Sequence, residues 1–99
     1  MSPKQVRLRR RAQQELLGAV EWYQGHDAAL SAAFVDEVQA LIRRIAELPH
    51  QFPVVHRAAI RRALLRQFPY AMYFKIERDD VIVLAILHQR RDHSGLPQK

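Results

Sequence analysis

The residues best suited to chemistry lie near the C-terminal end of the chain, where His88 is followed by Arg90 and Arg91. An imidazole that titrates near neutral pH can act as the general base toward a hydroxyl, such as the 2′-OH of RNA. Guanidinium groups can stabilise the negative charge that develops on a phosphate during such an attack. Arg62 and Arg66 share one face of a strand-like run and could clamp the same phosphate. His88, Arg62 and Arg91 are therefore the candidate catalytic residues if the chain cleaves phosphodiester bonds.

The same basic residues can also bind an anionic partner without doing chemistry. Several arginines that converge on one sheet edge repel each other, and an anionic partner would relieve that repulsion. The candidate partner-binding residues are Arg61, Arg62, Arg66, Tyr70, Arg90 and Arg91. A histidine at the end of a strand is more often a hydrogen-bonded structural residue than a base, so both interpretations stay open.

The composition favours an anionic partner. Sixteen Lys and Arg face ten Asp and Glu, and most of these cations are Arg, which forms bidentate contacts with carboxylate and phosphate. A polyanion or an acidic protein fits this excess, while a merely solubilising surface is the plainer explanation. The chain has no cysteine, which excludes disulfides and thiolate metal sites, and His50 and His56 make a poor metal site by themselves. We therefore expect no metal and no cofactor.

Length and hydropathy predict one small domain, residues 1–99, without a membrane segment. The longest apolar run, Val81 to Leu87, has seven residues and is too short to span a bilayer. The basic N-terminus is not followed by an apolar stretch of the length that a signal peptide needs. The chain is thus expected to be soluble and cytoplasmic.

The N-terminal residues predict a strand followed by a helix. Polar and apolar residues alternate from Gln5 to Arg9, which is typical of a short strand. From Ala12 the apolar residues recur three and four positions apart, which indicates an amphipathic helix. Gly25 is expected to end this helix in a left-handed conformation. Trp22 and Tyr23 are expected to pack between the helices and a sheet, and the alternative is that they anchor an interface with a partner.

A second helix is predicted directly after the first. Asp27 can cap its N-terminus, its apolar residues form one stripe, and Pro49 ends it. The very short connection predicts that the two helices form a hairpin. The segment from Pro49 to Ala59 is expected to be an irregular loop.

The C-terminal half predicts three consecutive strands. Ile60 to Phe68 forms the first, and Tyr70 to Glu77 forms the second, in which Met72, Phe74 and Ile76 alternate with Ala71, Tyr73 and Lys75. Asp79–Asp80 is expected to form a hairpin turn, and Val81 to Leu87 to be a central strand covered on both faces. A polar tail begins at about Gln89. The predicted fold is α+β, in the order β-α-α-β-β-β, with a helical hairpin on one face of a small, mainly antiparallel sheet and basic residues on the other.

Within this order, a set of residues stands at a characteristic spacing. These residues are Ala12, Glu15, Leu16, Trp22, Tyr23, Phe34, Val38, Ile45, Pro49, Phe52, Pro53, Arg62, Leu65, Phe68, Pro69, Tyr70, Tyr73, the run from Val83 to His88, Arg91 and Asp92. In this pattern the chain resembles the RelE/ParE superfamily of bacterial toxins from type II toxin–antitoxin modules. The resemblance covers almost the whole chain, from Val6 to Asp92.

The resemblance implies a toxin that is neutralised by a cognate antitoxin, an acidic protein encoded next to it. Two mechanisms occur in the superfamily. RelE-like members enter the ribosome and cleave mRNA, whereas ParE-like members bind DNA gyrase and stall it on cleaved DNA without nuclease chemistry of their own. The partner-binding arginines would then contact the antitoxin, the target or both.

Two departures favour the ParE-like mechanism. The residue after Tyr70 is Ala71, where the ribosome-dependent nucleases commonly carry an arginine. No aromatic residue follows Phe74, so the chain lacks the usual platform for an unstacked base near its C-terminus. We therefore expect a gyrase-binding toxin that is not an enzyme, with a RelE-like endoribonuclease as the alternative. A basic nucleic-acid-binding module is a further alternative, since a net charge of +6 is an ordinary footprint of such proteins.

Overall fold

The computed structural model describes residues 5–90, which form two helices packed on one five-stranded sheet. In chain order the elements are β1 (Gln5–Leu8), α1 (Arg10–His26), α2 (Ala28–Glu47), a 3-10 turn (Pro49–Gln51), β2 (Val54–His56), β3 (Ile60–Leu64), β4 (Tyr70–Glu77) and β5 (Asp80–His88). The predicted α+β class and the helical hairpin on a mainly antiparallel sheet are confirmed. The structure adds β2, a short strand within the segment that was expected to be an irregular loop. No helix in residues 5–90 has the length and hydropathy needed to cross a membrane.

A single extended residue, Asp27, joins the two helices. Its backbone N–H donates to the carbonyl of Tyr23 at 2.8 Å, and its carboxylate accepts from the backbone N–H of Ala29 at 2.9 Å. Asp27 thus satisfies groups at the end of α1 and at the start of α2, which confirms its predicted role as an N-cap. The prediction for Gly25 was wrong, because Gly25 lies inside α1 and has no left-handed φ. The extended backbone of Asp27, with φ −166°, ends the helix instead.

The sheet has the order β1-β5-β4-β3-β2, so β5, β4 and β3 lie in its interior and β1 and β2 form its edges. β1 runs parallel to β5, and every other neighbouring pair is antiparallel. The register shifts between β4 and β5, since Tyr73 pairs with Ala85 while Phe74 pairs with Val83. Leu84 is the extra residue of this bulge, which changes the face on which the rest of β5 presents its side chains.

The two faces of the sheet have different neighbours. The face toward the helices carries the main core, to which β4 contributes Tyr70, Met72 and Phe74. The other face, called the second face below, carries a separate cluster of strand residues: Ile60, Ala71, Tyr73, Ala85 and Leu87. Residues of β4 therefore alternate between the two faces as predicted, and β5 is buried on both.

An aromatic cluster holds the hairpin on the sheet. The ring of Phe34 in α2 lies 5.1 Å from that of Tyr23, 5.2 Å from Phe68 and 5.3 Å from Tyr70, measured between centroids. These rings come from both helices, from the loop after β3 and from β4. Tyr23 packs there as predicted, but the prediction for Trp22 was wrong. Its side chain is 50% exposed on α1 and stacks on His26.

The predicted strand from Ile60 to Phe68 is too long, because β3 ends at Leu64. After that residue the chain leaves the ladder, and the Glu37 carboxylate of α2 accepts the backbone N–H groups of Arg66 and Gln67. These amides are satisfied by a helix and not by a neighbouring strand. Arg66 therefore belongs to a loop and does not share a strand face with Arg62.

The β4–β5 hairpin turns at Arg78–Asp79, one residue earlier than the predicted Asp79–Asp80. Arg78 adopts a left-handed conformation with φ 56°, which the tight two-residue turn requires. Beside the turn, Lys75 forms an ion pair of 2.7 Å with Glu77. The hydrogen bond and the charge of Lys75 hold the pKa of the Glu77 carboxyl below its ordinary value.

Candidate functional site

His88 ends β5 on the face toward the helices. It pairs with Tyr70 across the ladder, and the two rings meet edge to face with centroids 5.2 Å apart. Its Nδ1 accepts the backbone N–H of Arg90 at 3.1 Å. The side chain is half-buried, and Arg90 is exposed. The predicted neighbours His88 and Arg90 are thus adjacent, whereas Arg91 lies outside the described residues.

Arg62 lies on the second face, away from His88. It pairs with Tyr73, which belongs to the second-face cluster, whereas His88 pairs with Tyr70 in the main core. Its Nε is buried and has no hydrogen-bond partner in the described part of the chain. The structure therefore does not bring together the two described residues of the predicted catalytic set.

Arg61 points to the helix side and holds a loop in place. It pairs with Phe74 of the main core, and its guanidinium donates to the carbonyls of Phe52 at 2.7 Å and His50 at 3.3 Å. These bonds tie the 3-10 turn to β3. Much of the donor capacity of Arg61 is therefore used within the chain.

Tyr70 and Arg66 differ greatly in how accessible they are. Tyr70 is only 6% exposed, so most of its ring belongs to the core. Arg66 is exposed and lines a groove of about 400 Å³ between α2 and the loop after β3. Arg44 and the half-exposed Leu64 also line this groove, and the Glu37 carboxylate forms part of its wall.

Replacing Glu37 with alanine is expected to lower the free energy of unfolding by about 2 kcal/mol, because two backbone N–H groups lose a charged acceptor. Urea unfolding followed by circular dichroism measures this change. The neighbouring Asp36→Ala is the matched control and is expected to change stability by less than about 0.5 kcal/mol. Equal losses in both variants would show that the carboxylate does not anchor the loop.

The ion pairs of the described residues do not include the predicted partner-binding arginines. Residues 5–90 contain three ion pairs, which are Arg7–Asp80 at 2.9 Å, Arg11–Glu15 at 3.0 Å and Lys75–Glu77 at 2.7 Å. In that part of the chain, Arg61, Arg62, Arg66 and Arg90 form no ion pair with a carboxylate. Arg66 and Arg90 are exposed and have no carboxylate partner in that part of the chain, whereas the Arg61 guanidinium already binds two carbonyls. The described residues also contain no group of three or more His, Asp or Glu side chains arranged to hold a metal ion.

A second groove, which the sequence did not predict, lies between α1 and the end of β5 and has a volume of about 340 Å³. This α1–β5 groove is lined by Glu15, Gly18, Ala19, Trp22, Tyr70, Ile86, Leu87 and His88. The sequence carried one signal of it, the glycine in the middle of α1, which costs a helix about 1 kcal/mol relative to alanine. Apart from its chain neighbours and the backbone of its own helix, a Cβ at Gly18 would meet nothing within 4 Å, so packing within the chain does not require glycine there.

The amino-acid sequence matches the model of a known protein family over almost its whole length. The sequence model of the ParE toxin of the type II toxin–antitoxin system parDE matches residues 6–93. The chain belongs to the ParE toxin family. This confirms the resemblance to the RelE/ParE superfamily and its ParE branch. Comparison with curated protein sequences gives no match.

The fold of this ParE-family chain is similar to that of another protein whose structure has been solved. A chain of the chromosomal ParDE TA system from P. aeruginosa superposes with a TM-score of 0.76 at 14% sequence identity. The match covers 86% of this chain and 95% of that chain. At such low identity the similarity concerns the fold, and it agrees with the hairpin-on-sheet architecture described above.

Proposed function

We propose that this ParE-family chain is a growth-inhibiting toxin that binds DNA gyrase in the cytoplasm and is neutralised by a cognate antitoxin. What carries the choice of gyrase over mRNA cleavage is the placement of His88 and Arg62 on opposite faces of the sheet. Membership of the ParE family supports an antitoxin partner, and the arginines without a carboxylate partner support an acidic one.

The separation is too large for a shared phosphate. A general base must approach the proton that it removes to about 3 Å, and a phosphate clamp must reach the same group. Arg62 and His88 lie two strands apart, which is roughly 10 Å between strand axes, and their side chains leave opposite faces. Arg61 is no substitute, because its guanidinium binds the carbonyls of Phe52 and His50.

One observation favours the RelE-like alternative. His88 lines the α1–β5 groove, and the exposed Arg90, two positions further on, donates its backbone N–H to the His88 ring. A base and one cation are fewer groups than RNA cleavage needs, since the leaving oxygen also requires an acid. The ribosome-dependent nuclease is therefore the second candidate.

The unmatched arginines support an acidic antitoxin. The chain carries a net charge of +6, and the arginines at β3 and after β5 have no carboxylate partner within residues 5–90. Carboxylates of a partner can form bidentate pairs with such guanidinium groups. The partner would be encoded next to this chain and would cover these arginines.

Expression of the chain alone in a bacterial host is expected to arrest growth, and co-expression of the acidic protein encoded next to it is expected to restore growth. Colony counts after induction, with the amount of folded chain verified, measure both effects. A chain carrying Phe34→Ala, which removes a completely buried ring and is expected to be close to unfolding, is the control for effects of overexpression alone. Normal growth in the presence of abundant folded wild-type chain would contradict the toxin function.

A further inference from the structure

Two side chains at the β2 end of the sheet carry buried hydrogen-bond donors without an acceptor. The Nε of Arg62 and the Nε2 of His56 are shielded from solvent and have no hydrogen-bond partner in the described part of the chain. The Nδ1 of His56 accepts the backbone N–H of Ala58 at 3.3 Å, so the neutral imidazole carries its proton on Nε2. A buried donor without an acceptor destabilises the folded chain, and an acceptor from outside the chain would relieve that cost.

Both donors belong to the second face of the sheet. His56 pairs with Ile60 across the β2–β3 ladder, and Ile60 belongs to the second-face cluster. Arg62 lies two positions further along β3 and therefore leaves the strand on the same side as Ile60. Diagonal neighbours of this kind have Cα atoms roughly 7–8 Å apart, which long side chains can span. The two oxygens of one carboxylate can therefore accept from both side chains.

The surroundings of the two donors are apolar. Ile60 is 2% exposed, and Tyr73, which pairs with Arg62, is 4% exposed. Leu64, the next residue of β3 on this face, is 49% exposed, and both helices pack on the other face of the sheet. Arg62 as a whole is only half-buried, so its guanidinium can turn outward toward a ligand. This movement is favoured because it takes Nε out of a position where no acceptor reaches it.

The other charges of this face favour a protein ligand over a nucleic acid. Arg7 pairs with Asp80 at 2.9 Å, and Lys75 pairs with Glu77 at 2.7 Å. Among the cations that the described strands place on this face, Arg62 alone therefore has no carboxylate partner. A nucleic acid presents a phosphate at every nucleotide and binds to several cations together. A single guanidinium among apolar residues, on a face that also carries carboxylates, instead fits one Asp or Glu side chain.

We propose that Arg62 and His56 form a binding site on the second face for one carboxylate of DNA gyrase. This proposal rests on the proposed function, because gyrase is the target of that function. β2 and β3 hold the two donors at fixed positions, and such a preorganised pair complements an acidic side chain that is itself held in place on a folded surface. An antitoxin that covers several exposed arginines has no need of a recessed pair of donors.

Arg62→Met keeps the apolar stem of the side chain and removes the guanidinium. The amount of chain needed for half-maximal trapping of gyrase on cleaved plasmid DNA is expected to rise about tenfold or more. The melting temperature of the free chain is not expected to fall, because an unsatisfied donor is removed. Arg43→Met, the same change at an exposed arginine of α2, is the matched control and is expected to trap within about twofold of wild type. A melting temperature that falls in step with trapping would assign Arg62 a structural role and overturn the proposal.

Two substitutions at the histidine test the second donor. His56→Phe keeps a ring of similar size and removes the Nε2 donor, whereas His56→Gln can place an amide N–H near the same point. The phenylalanine variant is expected to weaken trapping about threefold or more, and the glutamine variant is expected to retain more of it. Equal trapping by the two folded variants would contradict a site shared by Arg62 and His56.

The source of the carboxylate is tested with the same folded Arg62→Met variant. Calorimetric titration with the acidic protein encoded next to the chain is expected to give an affinity within about threefold of wild type, since one of several arginines is lost. Binding to plasmid DNA without gyrase is expected to be unchanged. Weaker antitoxin binding with normal trapping, or weaker DNA binding, would overturn the assignment to gyrase. If wild type traps no gyrase, the proposed function fails together with this proposal, whereas wild-type trapping by folded Arg62→Met overturns the site alone.

Discussion

Replacing Phe34 with alanine is expected to lower the free energy of unfolding by about 3–5 kcal/mol. The ring is completely buried and touches Tyr23, Phe68 and Tyr70, so its removal leaves a cavity where both helices, the loop after β3 and β4 meet. A domain of this size has a total stability of about 5–15 kcal/mol, so the variant is expected to be close to unfolding. Chemical denaturation followed by circular dichroism measures the loss.

Two controls make this prediction specific to the aromatic cluster. Phe34→Leu keeps most of the volume and is expected to lose clearly less than the alanine variant. Leu30→Ala removes a large side chain that is 44% exposed on the same helix, and it is expected to cost under about 1 kcal/mol. A loss in Phe34→Ala no greater than that in Leu30→Ala would mean that the cluster does not hold the hairpin on the sheet.

The strongly periodic parts of the fold could be predicted from the sequence. The apolar stripe of α2, the alternation of β4 and the continuous apolar run of β5 each follow from the face that the element buries. Asp27 was recognisable as a cap because a carboxylate directly before a helix commonly accepts a backbone N–H of the first turn. Such features depend on neighbouring positions along the chain, so they need no knowledge of the tertiary structure.

The features that depend on contacts distant in sequence could not be predicted. β2 has only three residues, too few to show an alternation, and it exists because β3 offers it an edge. β3 ends early because Glu37, nearly thirty positions away, binds the loop amides. Helical periodicity placed Trp22 beside the core stripe, but it could not tell whether the ring would be buried against the sheet or exposed to solvent.

The candidate site could be predicted only in part, because it also depends on contacts between residues that are distant in sequence. The sequence identified the unmatched arginines and His88, but the face on which each lies depends on the register of β3 with β4 and on the bulge at Leu84. Neither is encoded in local periodicity, and a shift by one residue moves a side chain to the other face. The sequence alone could therefore not decide whether Arg62 and His88 share a site.

Purified wild-type chain is expected to trap DNA gyrase on cleaved DNA, and the His88→Ala variant is expected to do so within twofold of wild type. If the chain acts by docking, no proton transfer by His88 takes part. The variant removes an imidazole that borders the α1–β5 groove but leaves the arginines of β3 in place. Its folding is checked by the melting temperature, so that a loss of trapping is not mistaken for unfolding.

The most direct measurement incubates gyrase and supercoiled plasmid with increasing amounts of the chain and quantifies linear DNA after detergent and protease treatment. A parallel reaction supplies translating ribosomes and maps the ends of the mRNA. For a gyrase-binding toxin we expect linear DNA that rises with the amount of chain and requires gyrase, in wild type and His88→Ala alike, with intact mRNA in both. mRNA cut at codon-spaced positions by wild type but not by His88→Ala, without any trapped gyrase, would show that the chain is a ribosome-dependent nuclease and not a gyrase-binding toxin.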